Sequence, residues 1–460
     1  MKKILILLFC SLACSLPAAG TRPLRDLQQD FVDTRFGMFI HFNMPTYVDQ
    51  DWPDPDASPE LFNPTALDCR QWARAARSAG MTYGCLTTKH HSGFCIWDTK
   101  TTSYGVMHSP FGRDVVREFV DAFRAEGLGV ALYYSILDTH HRLRPGWITP
   151  EHVQLIKAQL RELLTGYGPI QAIIIDGWDA PWSRISYDQI PFEDIYCLIK
   201  SLQPECLVMD LNAAKYPAEA LFYTDIKSYE QGAGQHISKK TNRLPALSCL
   251  SLQASWFWKK SFPQTPVKSP ERMVDENLVP MTDAYCTFLL NVAPNREGRI
   301  DANALEALGQ IGRLWKNPGH VADLPESDAP VISSNLAKRR PVEASWSFDS
   351  AIMDFAVDDD FGTAWVSNPE VDTPWLEVLL DREQPVNAVV ITEGGAPRIK
   401  SYRIEYRLCG EWHPVDLEPR TGRVRIHRFD TVWADAVRLT ILGSSDTPSI
   451  AELGIYCERR

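Results

Sequence analysis

The chain has 460 residues, 45% hydrophobic and 23% charged, a composition that excludes disordered and fibrous proteins and leaves room for two or three domains. A net charge of −11 argues against a nucleic-acid partner, which a basic surface would attract. Residues 1–19 read as a secretory signal peptide. Lys2 and Lys3 form its basic head, residues 4–13 are an apolar stretch too short to span a bilayer, and Ala18 and Ala19 offer a small-residue cleavage site. The expected destination lies across the inner membrane: the periplasm, or the outer membrane as a lipoprotein through Cys14. No other segment reads as transmembrane. Of 11 cysteines, all but Cys10 and Cys14 follow the signal, scattered and without a CxxC pair, so neither a disulfide framework nor a zinc site is expected.

Residues 20–328 repeat one theme, an amphipathic helix followed by a short apolar strand with polar residues at its end. Trp72, Ala75, Ala76 and Ala79 form one helical stripe that Gly80 stops; Val116, Phe119, Val120 and Phe123 form another that Gly127 stops. Thr149-Pro150 opens a third helix, and Ile195, Leu198, Ile199 and Leu202 mark a fourth. Strands are expected at 36–41, 82–88, 129–134, 172–175, 207–210, 221–224, 247–252 and 286–290. Eight such units define a (β/α)8 TIM-like barrel, irregular towards its end, where the last two helices are hard to see. A doubly wound open sheet is the alternative, but no Gly-rich fingerprint follows the first strand.

The texture changes near residue 330. Residues 329–460 carry short alternating runs, such as Trp375-Leu376-Glu377-Val378 and Tyr402-Arg403-Ile404-Glu405-Tyr406, separated by turn residues and without an evident helix. They are expected to form an all-β sandwich of jelly-roll type.

The polar strand ends carry the chemistry. Asp176 closes the run Ile173-Ile174-Ile175-Asp176-Gly177-Trp178, whose β-branched residues suit a strand buried on both faces. Burying its carboxylate costs several kcal/mol unless it has partners or a task. His41, Lys89, His90, His91, Tyr134, Asp210, Asp225 and Glu230 also fall at strand ends, which converge on one face of a barrel. A metal site built from His41, His90, His91 and Asp176 is the lesser reading, because no HxH or HExxH spacing supports it.

Several segments together resemble the α-L-fucosidases of glycoside hydrolase family 29: Arg35-Phe36-Gly37-Met38-Phe39-Ile40-His41, Lys89-His90-His91-Ser92-Gly93-Phe94, Leu132-Tyr133-Tyr134-Ser135, Ile175-Asp176-Gly177, Ala254-Ser255-Trp256-Phe257 and Leu289-Leu290-Asn291-Val292-Ala293-Pro294-Asn295. The resemblance implies hydrolysis of α-linked L-fucose with retention, without a catalytic cofactor, on fucosylated oligosaccharides or glycoprotein glycans. It implies Asp176 as nucleophile and Glu230 as acid/base, with Asp225 and Asp210 as runners-up for the latter. It implies sugar contacts from His41, Trp52, His90, His91 and Trp256, and also from Tyr134, beside the nucleophile, and Trp178. The sequence departs from the family pattern at Ser92 in KHHSGF and at Phe257-Trp258 in SWFW. SWF and the loop after strand one look closer to the branch that acts on α-1,3/α-1,4-fucosyl linkages.

The C-terminal region resembles discoidin-like (factor 5/8 type C, carbohydrate-binding family 32) modules, through Asp358-Asp359-Asp360-Phe361-Gly362-Thr363-Ala364-Trp365 and Pro448-Ser449-Ile450-Ala451-Glu452-Leu453. That resemblance implies a structural Ca²⁺ held by Asp358, Asp360 and Thr363. Two other functions remain open on the sequence: a non-catalytic glycan-binding protein on a degenerate barrel, and a related retaining glycosidase acting on another sugar, such as an α-galactoside.

Overall fold

The computed structural model describes residues 21–459; the expected signal peptide and Cys14 lie outside them. Eight parallel strands make the first sheet: β1 Phe36–Ile40, β2 Tyr83–Lys89, β3 Gly129–Ser135, β4 Ala172–Asp176, β5 Leu207–Asp210, β6 Lys227–Glu230, β7 Ala246–Ser251 and β8 Cys286–Asn291. They pair in the order β5-β4-β3-β2-β1-β8-β7-β6. Between β6 and β5 the residues before β6 complete the ring. The Asp225 N–H donates to the Val208 carbonyl at 2.8 Å, and the Asp225 carboxylate accepts the Val208 N–H at 2.9 Å.

Side-chain parity sorts each strand into two rows. Ile173 and Ile175 face the helix layer, while Ala172 and Ile174 fill the barrel interior with Phe39, Tyr133 and Leu247. Asp176 belongs by parity to the inward row, at its upper end. The expected helices form at Cys69–Ser78, Val115–Ala125, Pro150–Gly166 and Phe192–Leu202. Asp68 and Asp114 cap the first two, accepting the N–H groups of Gln71 and Arg117 at 2.9 and 2.8 Å.

One stretch differs from expectation, and another is irregular as expected. Residues 221–224 are not the sixth strand; Phe222 bridges to Val331, and Tyr223 turns through φ 53° to stack on Tyr187 with ring centroids 4.0 Å apart. This apolar run is spent on an aromatic cluster between barrel and C-terminal domain, and the strand begins at Lys227 instead. The helices that were hard to see are broken ones. After β6 only the short turn Gln231–Ala233 follows, and after β7 Pro270–Met273 passes through a π-helical stretch, Val274–Leu278, into Val279–Thr282. Pro280 lacks an N–H to donate inside this last helix, which accounts for the interrupted bonding pattern.

The C-terminal sheet is antiparallel, with short strands flanking two long ones, Trp375–Glu393 and Val424–Ser444. Register shifts near Leu379/Gln384 and Val386/Ala388 bend the long pair, so each contributes to two layers of a sandwich. Strand Ser449–Tyr456 is buried throughout: Ile450, Leu453 and Ile455 enter the sandwich core, and Tyr456 enters the barrel's helix-layer core. Among the described residues seven cysteines are buried and outside any disulfide, while Cys409 is exposed and Cys457 half-buried. Among the described residues no helix is long and apolar enough to cross a membrane.

Candidate active site

A cavity of about 190 Å³, sized for one monosaccharide, opens at the C-terminal ends of the barrel strands. Asp176 and Glu230 line it together with His41, His90, His91, Trp52 and Trp256. Seven of the nine residues expected at the site therefore meet there.

Asp176 is buried, and burial pushes its carboxyl above the ordinary range. Three donors oppose that shift: the Tyr133 hydroxyl to Oδ2 at 2.6 Å, the Asn212 amide to Oδ1 at 2.9 Å, and the Gly177 N–H. Gly177 holds φ 110°, and a Cβ there would stand 3.0 Å from Ile136 Cγ1 and 3.1 Å from the Leu137 nitrogen. The glycine after the aspartate is thus dictated by the turn.

Glu230 ends β6 in the opposite kind of environment. Burial, then the nearby charge of Asp176, push its carboxyl up to about 7, against one hydrogen bond with Trp256. Asp176 keeps three donors that favour its ionised form, while Glu230 has one and is pushed up to about 7, an inequality that suits a division of labour between paired carboxyls.

The histidines are neutral hydrogen-bonding groups. Burial pushes His41 and His91 down to about 3, and His90 well below its usual value. His41 Nδ1 donates to Asn291 Oδ1 at 2.8 Å, which leaves Nε2 as an acceptor. His91 Nδ1 meets Ser135 Oγ at 2.7 Å, and its Nε2 lies 3.7 Å from Asp176. His90 Nδ1 is buried with no partner among the described residues. Behind them Lys89 and Asp138 form a fully buried pair at 3.1 Å, shared with His141. Removing one partner of such a pair costs about 3–5 kcal/mol, so the Lys-His-His segment has a firm anchor. Trp52 stacks on His91 with centroids 4.9 Å apart, and Trp256 lies 5.0 Å from His41. His41 Nδ1 and His91 Nδ1 are already bonded to Asn291 and Ser135. Among the described residues no group of three or more His, Cys, Asp or Glu is placed to hold a metal ion.

Two expectations are corrected. Tyr134 does not touch Asp176. It faces the helix layer, where its hydroxyl donates to Gln159 at 2.7 Å and Lys89 sits over its ring. Tyr133 takes the place, because alternate residues of a strand face opposite ways. Trp178 does not reach the cavity either: it is fully buried, its Nε1 donates to the Ile190 carbonyl at 2.9 Å, and it packs on Phe192. Trp182, on the same loop, lines the cavity instead, 43% exposed and 4.2 Å from the His91 ring. Asp225 is locked in barrel closure, paired with Lys200 at 2.9 Å. Asp210 lies outside the cavity lining; burial pushes it up to about 8, and it bonds Tyr187 and the Asn212 N–H. Parity in the β3/β4 pair, where Ser135 lies opposite Asp176, was the signal for Tyr133. Asn291 lies within the matching segment Leu289-Leu290-Asn291-Val292 without a role assigned to it there, and nothing in the sequence marked Asn212.

A closed parallel barrel with two unequal carboxyls in a histidine- and tryptophan-lined cavity at its C-terminal end defines a glycoside hydrolase. The family model for alpha-L-fucosidase matches residues 46–320, and that for the F5/8 type C domain matches residues 341–453. The chain belongs to the α-L-fucosidase family, glycoside hydrolase family 29, with an F5/8 type C domain after the barrel. Alpha-L-fucosidase 1 of Arabidopsis thaliana is 28% identical to it, over 92% of this chain and 85% of that protein. A glycoside hydrolase 29 family member from an unknown rumen bacterium is 27% identical, covering 94% of this chain and 76% of its own, with TM-score 0.53. The alpha-L-fucosidase isoenzyme 1 of Paenibacillus thiaminolyticus shares the fold at TM-score 0.54 and 24% identity, covering 91% of this chain and all of its own. The non-catalytic reading and the α-galactoside reading have no support from these relatives.

Proposed function

We propose that this fucosidase is a secreted exo-acting enzyme that removes terminal α-linked L-fucose with retention, acting on α-1,3 and α-1,4 linkages of branched glycans. The contrast between Asp176 and Glu230 carries the mechanism. Asp176 attacks the anomeric carbon as Glu230 gives its proton to the departing glycosidic oxygen; a fucosyl-enzyme ester forms and the aglycone leaves. Glu230, now ionised, takes a proton from water, which attacks the same carbon and frees Asp176. His41, His90, His91, Trp52 and Trp256 hold the sugar, by hydrogen bonds to hydroxyls and by ring contact with its apolar parts. No cofactor enters the reaction. Secretion rests on the basic, apolar and small-residue pattern of residues 1–19, and the periplasm or a lipid anchor at Cys14 is the proposed location. The linkage preference rests on Ser255-Trp256-Phe257-Trp258 and the loop after β1. The test is a panel of linear α-1,2- and branched α-1,3/1,4-fucosylated oligosaccharides, with the released sugar followed by NMR. Branched substrates should be consumed first, and the first fucose formed should be the α-anomer. β-Fucose at early times would overturn retention.

We also propose a Ca²⁺ in the Asp358–Thr363 turn. The Thr363 hydroxyl lies 2.8 Å from Asp358 Oδ2 and 2.9 Å from the Asp360 carbonyl, so hard oxygen donors converge there. Buried Glu452, which bonds the Asp359 N–H, is pushed up to about 8 by burial and by Asp359 and Asp358. Chelation should lower the melting temperature and leave turnover of a small aryl fucoside intact. A melting temperature indifferent to chelator and to added Ca²⁺ would dismiss the ion.

A further inference from the structure

A second groove lies behind one wall of the catalytic cavity. It holds about 310 Å³ and is walled by Asp179 to Pro181 on the β4 loop and by Tyr229, Gln235 and His236 around β6. It shares no lining residue with the cavity and is separated from it by Trp182, Leu211 and Glu230, whose chain neighbours Pro181, Asn212 and Tyr229 line the groove. Asn212, on its floor, donates to Asp176 Oδ1, and Tyr229 directly precedes Glu230. The aglycone leaves from the Glu230 side, so this is where the next sugars have room. The other end of the groove shares Asp179 and Lys215 with a cleft of about 940 Å³ between the barrel and the C-terminal domain.

The charges lining that cleft are unequally matched. Lys215 pairs with Asp179 at 2.5 Å and Asp359 at 3.7 Å; Lys338 pairs with Asp359 at 2.8 Å and Asp188 at 3.8 Å; Arg340 pairs with Asp381. Asp358 and Asp360 are engaged within their own turn. Arg184, from the barrel, and Arg339, from the C-terminal domain, are exposed, and no hydrogen bond or ion pair engages either guanidinium among the described residues. A guanidinium fork matches a carboxylate or sulfate group by paired hydrogen bonds.

We propose that the aglycone of the fucoside runs along this trough to the interdomain cleft, where Arg184 and Arg339 bind an acidic group, carboxylate or sulfate, on an extended glycan. The C-terminal domain then acts as one wall of the substrate site. This rests on the fucosidase reading above, and the experiment separates the two.

The probes are an aryl α-L-fucoside, a neutral branched fucosylated oligosaccharide, and the same oligosaccharide carrying either a carboxylate-bearing sugar or a sulfate. The wild type is compared with the double variant Arg184→Asn/Arg339→Asn. Asparagine is chosen because both residues hold left-handed backbones, at φ 53° and 54°, which it tolerates. Wild-type kcat/KM should be about tenfold higher on an acidic oligosaccharide than on the neutral one at low salt, and the advantage should shrink as salt is raised. The double variant should lose that advantage while keeping aryl fucoside turnover within about twofold of wild type. The carboxylate and sulfate arms identify the group recognised. The proposal is overturned if neither acidic substrate is preferred, or if the preference survives both substitutions. Absence of aryl fucoside turnover in the wild type would sink the fucosidase reading itself, and this one with it.

Discussion

Asp176→Ala should reduce kcat on aryl α-L-fucosides by about 10⁴-fold or more, since it removes the group that forms the covalent intermediate. Tyr133 and Asn212 should remain in place, each having lost one acceptor, so the cavity should still bind fucose. The space left by the carboxylate invites a small external nucleophile. Added azide should restore turnover of a good-leaving-group substrate and yield β-fucosyl azide, because azide attacks from the face that Asp176 used and has no second displacement to follow. Residual activity within tenfold of wild type, or an azide product of retained configuration, would dismiss Asp176 as nucleophile.

Glu230→Gln separates two substrate classes. On natural glycans, whose leaving oxygen needs a proton, the loss should be about 10²–10⁴-fold. On substrates with acidic phenol leaving groups, formation of the intermediate should be far less affected, and its slow hydrolysis should appear as a burst of phenol. Equal losses on both classes would count against an acid role. The pH profile gives a second reading. Glu230 must be protonated, and its carboxyl is pushed up to about 7, so activity on glycans should fall as pH rises through about 7. Asp176 must be ionised, and burial raises it, so the acid limb should lie above the ordinary carboxylate range. His41 and His91, pushed down to about 3, should contribute to neither limb. In Glu230→Gln the alkaline limb should disappear and the acid limb should persist.

The two carboxyls were legible in the sequence for different reasons. Asp176 interrupts an apolar run at a strand end, where an unpaired charge is too costly to be incidental. Glu230 was identified through family likeness, and its strand was placed too early. Residues 221–224 are as apolar as a strand, and only the aromatic cluster of Tyr187, Tyr216 and Phe361 reveals why they are not one. A strand taken as a line of residues does not separate Tyr134 from Tyr133. The pairing of β3 with β4 assigns alternate side chains to opposite faces, and one residue's slip exchanges cavity for helix layer. Trp178 and Trp182 show the same limit on a loop, where no periodicity says which ring turns inward.

By itself the sequence determined the alternation of helix and strand, the change to an all-β region near residue 330, and the polar strand ends, Asp176, His41, His90 and His91 among them, that line the cavity. Those follow from hydrophobic period, turn chemistry and the cost of burying charge, all of which are local. Tertiary structure decided which neighbour partners which: Tyr133 and Asn212 on Asp176, Asn291 on His41, Asp225 in barrel closure, and Lys215 bridging two domains. These contacts join residues from 17 to 250 positions apart. What sets them is the distance and solvent exclusion that closing the barrel creates, and no local pattern carries that information.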